Sequence, residues 1–346
     1  MDFALSSREE LVFAEVVASY LRTAEPVGSQ AVAKALAREH RMSSATVRSV
    51  MGELERAGLL MHPHTSSGRV PTTQGLRFYI DCVIETEPLS TAEQTEMAHR
   101  YAETDQGMTA MLEETSRVLS QLSKYTGLIV APVQHELVLQ HIEFVRLSER
   151  RLLGIFVTRE GITQNRMIEL TEGISPSDVE RINNYCNEIF RGMTLEAARS
   201  KACSDRDSAK VAMETIAQRA MQYSAAVLDK TDTDVMIEGE ASMLTHPEFA
   251  SAEKAKALLE AFAHKQQIAA ILDQSITSEG VQVFIGAESR YDAFADCSVV
   301  MSSYRRGGKV LGALGVIGPT RMAYGRVIPI VQCAAEQMSR WLDLPT

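Results

Sequence analysis

Residues 43–72 read SSATVRSVMGELERAGLLMHPHTSSGRVPT, and their pattern predicts the fold of the N-terminal part of the chain. Apolar side chains recur at helical spacing through its first half, at Val47, Val50, Met51 and Leu54. Such a stripe is typical of a helix that packs one face against a core. Ser43 or Ser44 supplies the N-cap that a helix start favours, and Gly58 ends the pattern. The stretch therefore predicts an amphipathic helix that ends before Gly58.

The opposite face of this helix carries small residues and two arginines: Ala45, Arg48, Ser49, Gly52 and Arg56. Because no bulky side chain stands on that face, it can enter a major groove of DNA. Arg48 is suited to a bidentate pair with a guanine edge, and the Ala45 methyl group to contact with a thymine methyl. Hydroxyls near the helix start can bond bases or phosphates, and they belong to Ser44, Thr46 and Ser49. A small-faced helix alone also fits an ordinary protein surface, so its neighbours in the sequence matter.

Two further helical patterns precede this helix. Apolar residues between Arg8 and Thr23 follow one helical stripe: Phe13, Val16, Val17, Tyr20 and Leu21. The segment EPVGSQ interrupts it, and Ser29 is the expected N-cap of a second helix. That second helix is marked by Val32, Ala35 and Leu36. Three short amphipathic helices with tight connections predict a helix-turn-helix unit.

A hairpin is predicted directly after the third helix. The run LLM after Gly58 indicates a strand, HPHTSSGR a turn and RVP a returning strand. The turn combines hydroxyls, glycine and positive charge, which suit phosphates or the minor groove: His64, Thr65, Ser66, Ser67 and Arg69. A hairpin in this position is a wing. Residues 1–85 are therefore predicted to form a winged helix-turn-helix DNA-binding domain.

His62 and His64 form an HxH pair that raises the alternative of a metal site. Apart from Cys82, no third ligand is nearby in the sequence, and a stable site usually needs more than two. We therefore expect these histidines to shape the hairpin, and we predict neither a metal nor a cofactor.

The distribution of charge supports a DNA-binding role for this segment. Residues 30–80 carry seven Lys/Arg and three acidic residues, a balance of +4, although the net charge of the whole chain is −10. The remaining residues therefore carry −14. A basic segment on an acidic body can hold phosphates locally while the body resists non-specific adhesion.

Length and composition bound the rest of the chain. With 346 residues, 45% hydrophobic and 23% charged, two or three globular domains are expected. No run approaches about 18 apolar residues, and the start MDFALSSREE lacks a basic-then-apolar signal, so neither a membrane span nor a secretory peptide is predicted. The five cysteines show no CxxC spacing and fit buried or idle thiols in a reducing cytoplasm.

Strand and helix patterns beyond residue 120 indicate an α+β domain with an insertion. Strand-type runs lie within residues 125–170 and return near the C-terminus in GVQVFIGAES, CSVVMSSYR and VLGALGVIG. Between them, apolar residues alternate at spacings of four and three: Ala209, Met213, Ile216, Ala220, Tyr223 and Val227. This spacing is typical of an a/d seam between packed helices, although a plain core helix gives the same pattern.

A dimer interface is expected because one winged helix contacts too little DNA to be both tight and selective. The interface should be isologous, so that assembly closes at two subunits. The seam provides its candidate residues: Met213, Ile216, Tyr223 and Val227. A second apolar set on the following segment is Leu258, Phe262, Ile268 and Leu272.

Three stretches of the chain resemble one known protein family. The run SSATVRSVMGELERAGLLMHPHTSSGRVPTTQGLRFYID (residues 43–81) is similar to the DNA-binding domain of the heat-inducible transcription repressor HrcA family. EGEASMLTHPEF (238–249) and GVIGPTRMAYGRVI (315–328) extend the resemblance over essentially the whole chain. Arg48 and Arg69 stand where the family has arginines. Ser49 and Val50 replace the amide and acid that usually follow the first of them.

The resemblance implies a repressor of bacterial chaperone operons that binds an inverted-repeat operator as a homodimer. It implies a GAF-like α/β domain in two parts, residues 105–199 and 271–346, around an inserted dimerisation domain at 200–270. It also implies that the chaperonin assists folding of the repressor, so that unfolded proteins relieve repression by occupying the chaperonin. The expected fold is therefore α+β and multidomain.

Two other functions stay open. A ligand-sensing winged-helix repressor would bind a small molecule in the GAF-like domain. An enzyme with an appended DNA-binding domain would need a clustered set of acid and base residues, which the sequence does not show. GALGVIG (312–318) has GxxGxxG rather than GxGxxG spacing, and Walker A, HExxH and GxSxG motifs are absent. We therefore expect no enzymatic activity.

A last motif, RMAYGR at 321–326, has two arginines and a tyrosine close together. These side chains could bind an anion or make a subunit contact, and the sequence leaves both open. The residues concerned are Arg321, Tyr324 and Arg326.

Overall fold

The structure is a computed structural model, and it describes residues 5–37, 40, 42–63, 68–104, 107–130, 137–159, 163–208, 215–228, 235–273, 280–289 and 294–343. Within these ranges, the strands form antiparallel sheets of two, five and three strands. Helices pack on the two larger sheets, so the chain is a mixed α/β structure.

The N-terminal unit consists of three helices followed by a hairpin, where the sequence predicts them. The helices are α1 (Ser7–Thr23), α2 (Ser29–Leu36) and α3 (Ser44–Arg56), and the strands are β1 (Leu60–Met61) and β2 (Val70–Pro71). The predicted stripes face inward: Phe13, Val16, Val47, Met51 and Leu54 are at most 1% exposed. Burial of these stripes stabilises helices that would be marginal alone. A fourth helix, α4 (Thr73–Phe78), continues as a π-helical turn over Tyr79–Val83.

The central body is built on the five-stranded sheet. Its strands are β3 (Thr126–Val130), β7 (Val235–Glu238), β8 (Val281–Ile285), β9 (Cys297–Arg306) and β10 (Lys309–Pro319), in the order β7-β3-β10-β9-β8. One face packs against α6 (Gly107–Ser123) and α13 (Tyr324–Asp343), and α5 (Thr91–Glu103) lies beside them. The other face is covered by α11 (Ala252–Ala263) and α12 (Lys265–Asp273). Successive side chains of a strand point to opposite faces of the sheet. Val300 and Tyr304 of β9 therefore pack with α6 and α13, whereas Val299 and Met301 pack with α11 and α12.

A second α/β unit is inserted between two neighbouring strands of this sheet. β3 and β7 pair directly, with Gly127 opposite Glu238, so the chain leaves the sheet after β3 and returns beside it at β7. The insertion holds β4 (Leu139–Ser148), β5 (Arg151–Thr158) and β6 (Thr163–Glu169). Its helices are α7 (Pro176–Phe190), α8 (Leu195–Ser208) and α9 (Thr215–Leu228), and a short α10 (Glu240–Met243) follows β7.

The sheet units do not coincide with the inserted range expected from the sequence. Residues 200–270 are divided between two units: α8 and α9 pack on the three-stranded unit, whereas β7 and α11 belong to the five-stranded body. The first expected GAF-like part, 105–199, likewise includes strands of the insertion. The physical reason is that strand pairing of β3 with β7 joins segments far apart in the sequence, which helical periodicity cannot reveal.

The second apolar set expected at a dimer interface is buried within the chain. Leu258, Phe262, Ile268 and Leu272 are at most 3% exposed and pack under the five-stranded sheet with Phe294 and Met301. Their helical spacing therefore reflects an ordinary core face of α11 and α12.

Candidate nucleic-acid interface

The start of α3 is fixed by hydroxyl groups. The Ser43 side chain accepts a hydrogen bond from the Thr46 amide at 3.1 Å and so caps the helix. Ser29 does not cap α2 as predicted, because Gly28 occupies that position without a side-chain bond. Instead, the Ser29 hydroxyl lies 3.2 Å from the Ser44 hydroxyl, where it joins α2 to α3.

The outward face of α3 is open, as the sequence predicts. Ala45, Arg48, Ser49 and Arg56 are exposed, and Thr46 and Gly52 are half-buried. Arg56 donates to the Gly52 carbonyl at 3.3 Å, and the Ser49 hydroxyl lies 3.5 Å from Glu53. Arg48 makes no hydrogen bond or ion pair with the residues that the structure describes. Its guanidinium is therefore available to a partner outside the chain.

The base of the hairpin is held against the turn between α1 and α2. Val27 and Arg69 exchange two backbone hydrogen bonds of 2.9 Å, which adds a third short strand segment to the hairpin. Gly68 permits this approach, because a Cβ there would lie 2.4 Å from the Val27 carbonyl. The predicted contact residues His64, Thr65, Ser66 and Ser67 lie outside the described residues.

The Arg69 side chain lies against α3. Its Nε and Nη2 atoms lie 3.0 Å and 2.8 Å from Glu55 Oε2, and the side chain is only 16% exposed. His62 lies 3.8 Å from the same carboxylate. The sequence suggests that Arg69 contacts phosphate. In the structure its guanidinium forms an intramolecular ion pair, which holds the hairpin on α3. Sequence reasoning missed Glu55, since nothing in its spacing marks it as the partner of Arg69.

A shallow groove of about 550 Å³ adjoins the exposed face of α3. The start of α1 forms its other wall, with Ser6, Ser7 and Arg8, opposite Thr46 and Ser49. Arg8 is exposed there. This helix start can be recognised in the sequence, because Ser6 and Glu9 have the spacing of a capping box, which the structure contains.

Among the described residues, no three His, Cys, Asp or Glu side chains are grouped so that they could hold a metal ion. Within the same ranges, no helix has both the length and the apolarity needed to cross a membrane.

Comparisons with known proteins identify the family. The model described as "HrcA protein C terminal domain" matches residues 109–328. The heat-inducible transcription repressor HrcA of Geobacter sulfurreducens is 40% identical over 341 residues, which cover 98% of each chain. Its counterpart in Anaeromyxobacter sp. strain K is 39% identical, over 98% of this chain and 96% of that protein. The chain belongs to the HrcA family.

The predicted resemblance to the HrcA family is thus confirmed, and it includes the N-terminal unit. These HrcA relatives are named as transcription repressors and not as enzymes, as expected for this chain. A solved structure described as "Crystal structure of a hypothetical protein at 2.2 A resolution" has a TM-score of 0.61 and 22% identity. It covers 98% of this chain and 97% of its own, so it shares the fold of this HrcA-family chain.

The RMAYGR residues of this HrcA-family chain are engaged within the chain. Arg321 forms an ion pair with Glu248, with Nη2 3.1 Å from Oε2. Arg326 forms an ion pair with Glu93. The hydrogen bond from Arg326 is the main reason why the pKa of Glu93 falls to about 2. Tyr324 is buried, and its hydroxyl donates to Ser298 or Thr320 at 2.7 Å. Each guanidinium already has a carboxylate partner, so the arrangement lacks the uncompensated positive charge that an anion site needs.

The predicted dimerisation seam of this HrcA-family chain lies on and before α9. Tyr223 is 7% exposed, and its ring centroid lies 6.2 Å from that of Phe144 on β4. Ile216 and Val227 belong to α9, and Met213 lies outside the described residues. Of the seam, Ala220 and Tyr223 thus pack in the core of the same chain.

Proposed function

We propose that the chain is a negative regulator of heat-shock chaperone operons in the bacterial cytoplasm. It binds an inverted-repeat operator as a homodimer, and each subunit contributes a winged helix-turn-helix formed by α1–α3 and the hairpin. The observation that carries the proposal is the exposed face of α3, where Arg48 has no partner among the described residues. The family names of its relatives support repression of heat-inducible transcription.

Recognition of the operator bases would depend on α3. With Val47 and Leu54 packed inward, the opposite face can lie in the major groove without a bulky side chain in the way. Arg48 would pair with a guanine, and Ala45 would contact a thymine methyl. Thr46 and Ser49 would bond bases or phosphates. Arg8, across the groove from these hydroxyls, would contact a flanking phosphate.

The hairpin would position the protein on the duplex. Its tip carries His64, Thr65, Ser66 and Ser67, which would reach the backbone or minor groove. The contribution of Arg69 would be indirect, since Glu55 holds its guanidinium. This pair keeps the hairpin at a fixed angle to α3, so base contacts and backbone contacts can be made together.

The sheets support the following domain limits. We propose a DNA-binding domain over 1–85 and a GAF-like domain formed by 105–130 and 235–346. The inserted dimerisation domain would comprise 137–228. This division keeps each sheet with the helices that pack on it.

The best surface for a second subunit is the outer face of the three-stranded sheet. Val145, Leu153 and Met167 lie side by side across β4, β5 and β6. Val145 is 38% and Met167 55% exposed, and Leu147 nearby is 51% exposed. Apolar side chains grouped on one face are typical of an interface. We therefore place the dimer contact on this face rather than at Tyr223.

The β4 edge of the same sheet is less suited to pairing. Asn183 and Asn187 of α7 each accept a hydrogen bond from a backbone amide of β4 and donate one to its carbonyl, at Phe144 and Ile142 respectively. These side chains occupy hydrogen-bonding groups that a partner strand would need. A partner would therefore pack on the face, where the ion pair of Arg151 with Glu169 lies at the margin.

The ligand-sensing alternative requires an open cavity in the GAF-like domain. Beneath α11 and α12, the described side chains are closely packed, with Phe262 at 3% and Phe294 at 0% exposure and ring centroids 6.1 Å apart. No observation there favours a small-molecule site.

The chaperonin link is proposed from the family resemblance, and its test is whether added chaperonin raises the fraction of protein that binds operator.

Titration of two DNA duplexes tests the proposed function. One carries the inverted repeat upstream of the chain's own chaperone operon, and the other carries the same bases in scrambled order. We expect binding to the first to be tighter by about 10³-fold or more at physiological salt. Equal affinity for both duplexes would contradict sequence-specific repression.

A further inference from the structure

The DNA-binding unit is docked on the body through a shared apolar core. Ile285 ends β8 of the five-stranded sheet, yet it is 1% exposed and packs in the same cluster as Leu76 of α4 and Phe13 of α1. Val283 lies at the edge of this cluster. A core that spans two units resists their relative rotation, because any rotation would expose buried apolar surface.

Arg77 of α4 joins the two units at this point. Its guanidinium contacts both oxygens of Glu288, with Nε 3.3 Å from Oε1, and donates to the Val283 carbonyl at 2.5 Å. The Glu288 carboxylate also accepts the Ile285 amide at 2.8 Å. Asp81, one turn after Arg77, lies 3.4 Å from Nη1. The planar fork of arginine suits this bidentate arrangement, which lysine cannot reproduce.

The segment after α4 is also held against the body. The Glu87 amide donates to the Gly325 carbonyl at 3.1 Å. A Cβ at Gly325 would lie 3.0 Å from the Glu85 carbonyl oxygen, so the two backbones run close together. Both ends of the connection are thus fixed, and the DNA-binding unit is a rigidly placed unit rather than a tethered one.

We propose that Arg77, through Glu288 and Val283, determines which half-site spacing the dimer accepts. This inference rests on the proposed function, since it concerns a dimer on an inverted repeat. Two rigidly placed recognition helices fit half-sites at one separation and one rotation about the duplex. Each added base pair moves a half-site along and around the duplex, and a rigid dimer cannot follow. If Arg77 is removed, each unit rotates on its body and accepts several spacings.

Operators with altered spacers test this role. The purified full chain is titrated with the native operator, with operators whose spacer is longer or shorter by two base pairs, and with a single half-site. We expect the affinity of the wild type to be lower by about tenfold or more on the operators with altered spacers than on the native operator, since both half-sites cannot be bound at once. Arg77→Ala should reduce that loss to about threefold or less, with half-site affinity unchanged within about twofold. Glu288→Gln should shift the loss in the same direction.

A matched control removes a different ion pair. Lys256→Ala breaks the contact with Glu260 within α11 of the body, where both side chains are mostly exposed. It should keep the wild-type spacing preference. Thermal unfolding and light scattering establish that each variant is folded and dimeric at the assay concentration. If Arg77→Ala does not fold, Glu288→Gln, which keeps the shape of the side chain, decides the question alone.

Several results would overturn the inference while leaving the proposed function intact. One is an unchanged spacing preference in folded, dimeric Arg77→Ala and Glu288→Gln. Another is that Arg77→Ala binds the single half-site more weakly and its affinity depends less steeply on salt concentration. That result would show that Arg77 contacts phosphate. A monomeric Arg77→Ala would show that this residue acts through assembly. Failure of the wild type to prefer its operator over scrambled DNA would instead refute the proposed function.

Discussion

Glu55 of α3 lies 2.8 Å from the guanidinium of Arg69, at the base of the hairpin. The pair connects the helix that would read bases with the hairpin that would contact the backbone. Arg69 is largely buried, and its backbone is bonded to Val27 as well. Glu55 and Arg69 therefore fix the relative position of the two elements that we propose to contact DNA, and neither side chain needs to touch DNA itself.

Removal of either partner should have the same effect. Arg69→Ala and Glu55→Ala should each weaken binding to operator and to random DNA by similar factors, because the hairpin loses its fixed angle to α3. The double variant should lose little more than either single one, as expected for residues that act as a pair. Binding titrations at several salt concentrations provide the measurement. A salt slope lower by about one unit for Arg69→Ala alone would show that Arg69 contacts phosphate instead.

Arg48→Ala should separate base reading from backbone contact. Loss of a bidentate contact with guanine should cost about 1–3 kcal/mol on the operator and little on random DNA. Arg56→Ala serves as the control, since the Arg56 side chain bonds to its own helix at Gly52. Equal losses on both DNAs for Arg48→Ala would contradict the base-reading role.

Charge placed on the outer sheet face should separate the subunits. Val145→Glu combined with Met167→Glu should give monomers by light scattering, because two carboxylates would be buried without partners. Both side chains are exposed within one chain, so each subunit should remain folded. Leu259→Glu, at an exposed apolar position of α11, is the matched control and should stay dimeric. Persistence of the dimer in the double variant would exclude this face as the interface.

The cysteines should differ sharply in reactivity. Burial raises the pKa of Cys186 to about 11 and that of Cys297 to about 12. At pH 8 both thiols are therefore almost fully protonated, and the thiolate that attacks a disulfide reagent is scarce. Cys82 is exposed and should react first with an aromatic disulfide reagent in the native protein. All five should react after unfolding. Native reaction of Cys186 at the rate of Cys82 would contradict its buried position.

The sequence predicts the helices and the faces of the N-terminal unit well, because periodicity records which side of a helix is buried. Val47, Met51 and Leu54 are buried and Arg48 is exposed, as their spacing indicates. Periodicity does not record what covers a buried face. Periodicity therefore predicts Tyr223 at a subunit interface, whereas in the structure its ring lies against Phe144 of the same chain.

Contacts between segments that are far apart in the sequence also could not be predicted. The ion pairs of Glu55 with Arg69 and of Arg77 with Glu288 depend on how the chain folds back, and oppositely charged residues are too common to pair by inspection. The limits of the insertion depend on β7 returning beside β3. Composition does not change at either boundary in a way that marks it.

Hydroxyl-radical footprinting on the promoter of the chain's own chaperone operon is the most direct test of the central claim, that a dimer reads an inverted repeat through α3. Wild-type protein should protect two symmetric half-sites on one face of the duplex, with centres separated by about one helical turn or a multiple of it. Arg48→Ala should give no protection at the same protein concentration. Protection of a single unsymmetrical patch, or of no site at concentrations that bind the fragment, would contradict the claim.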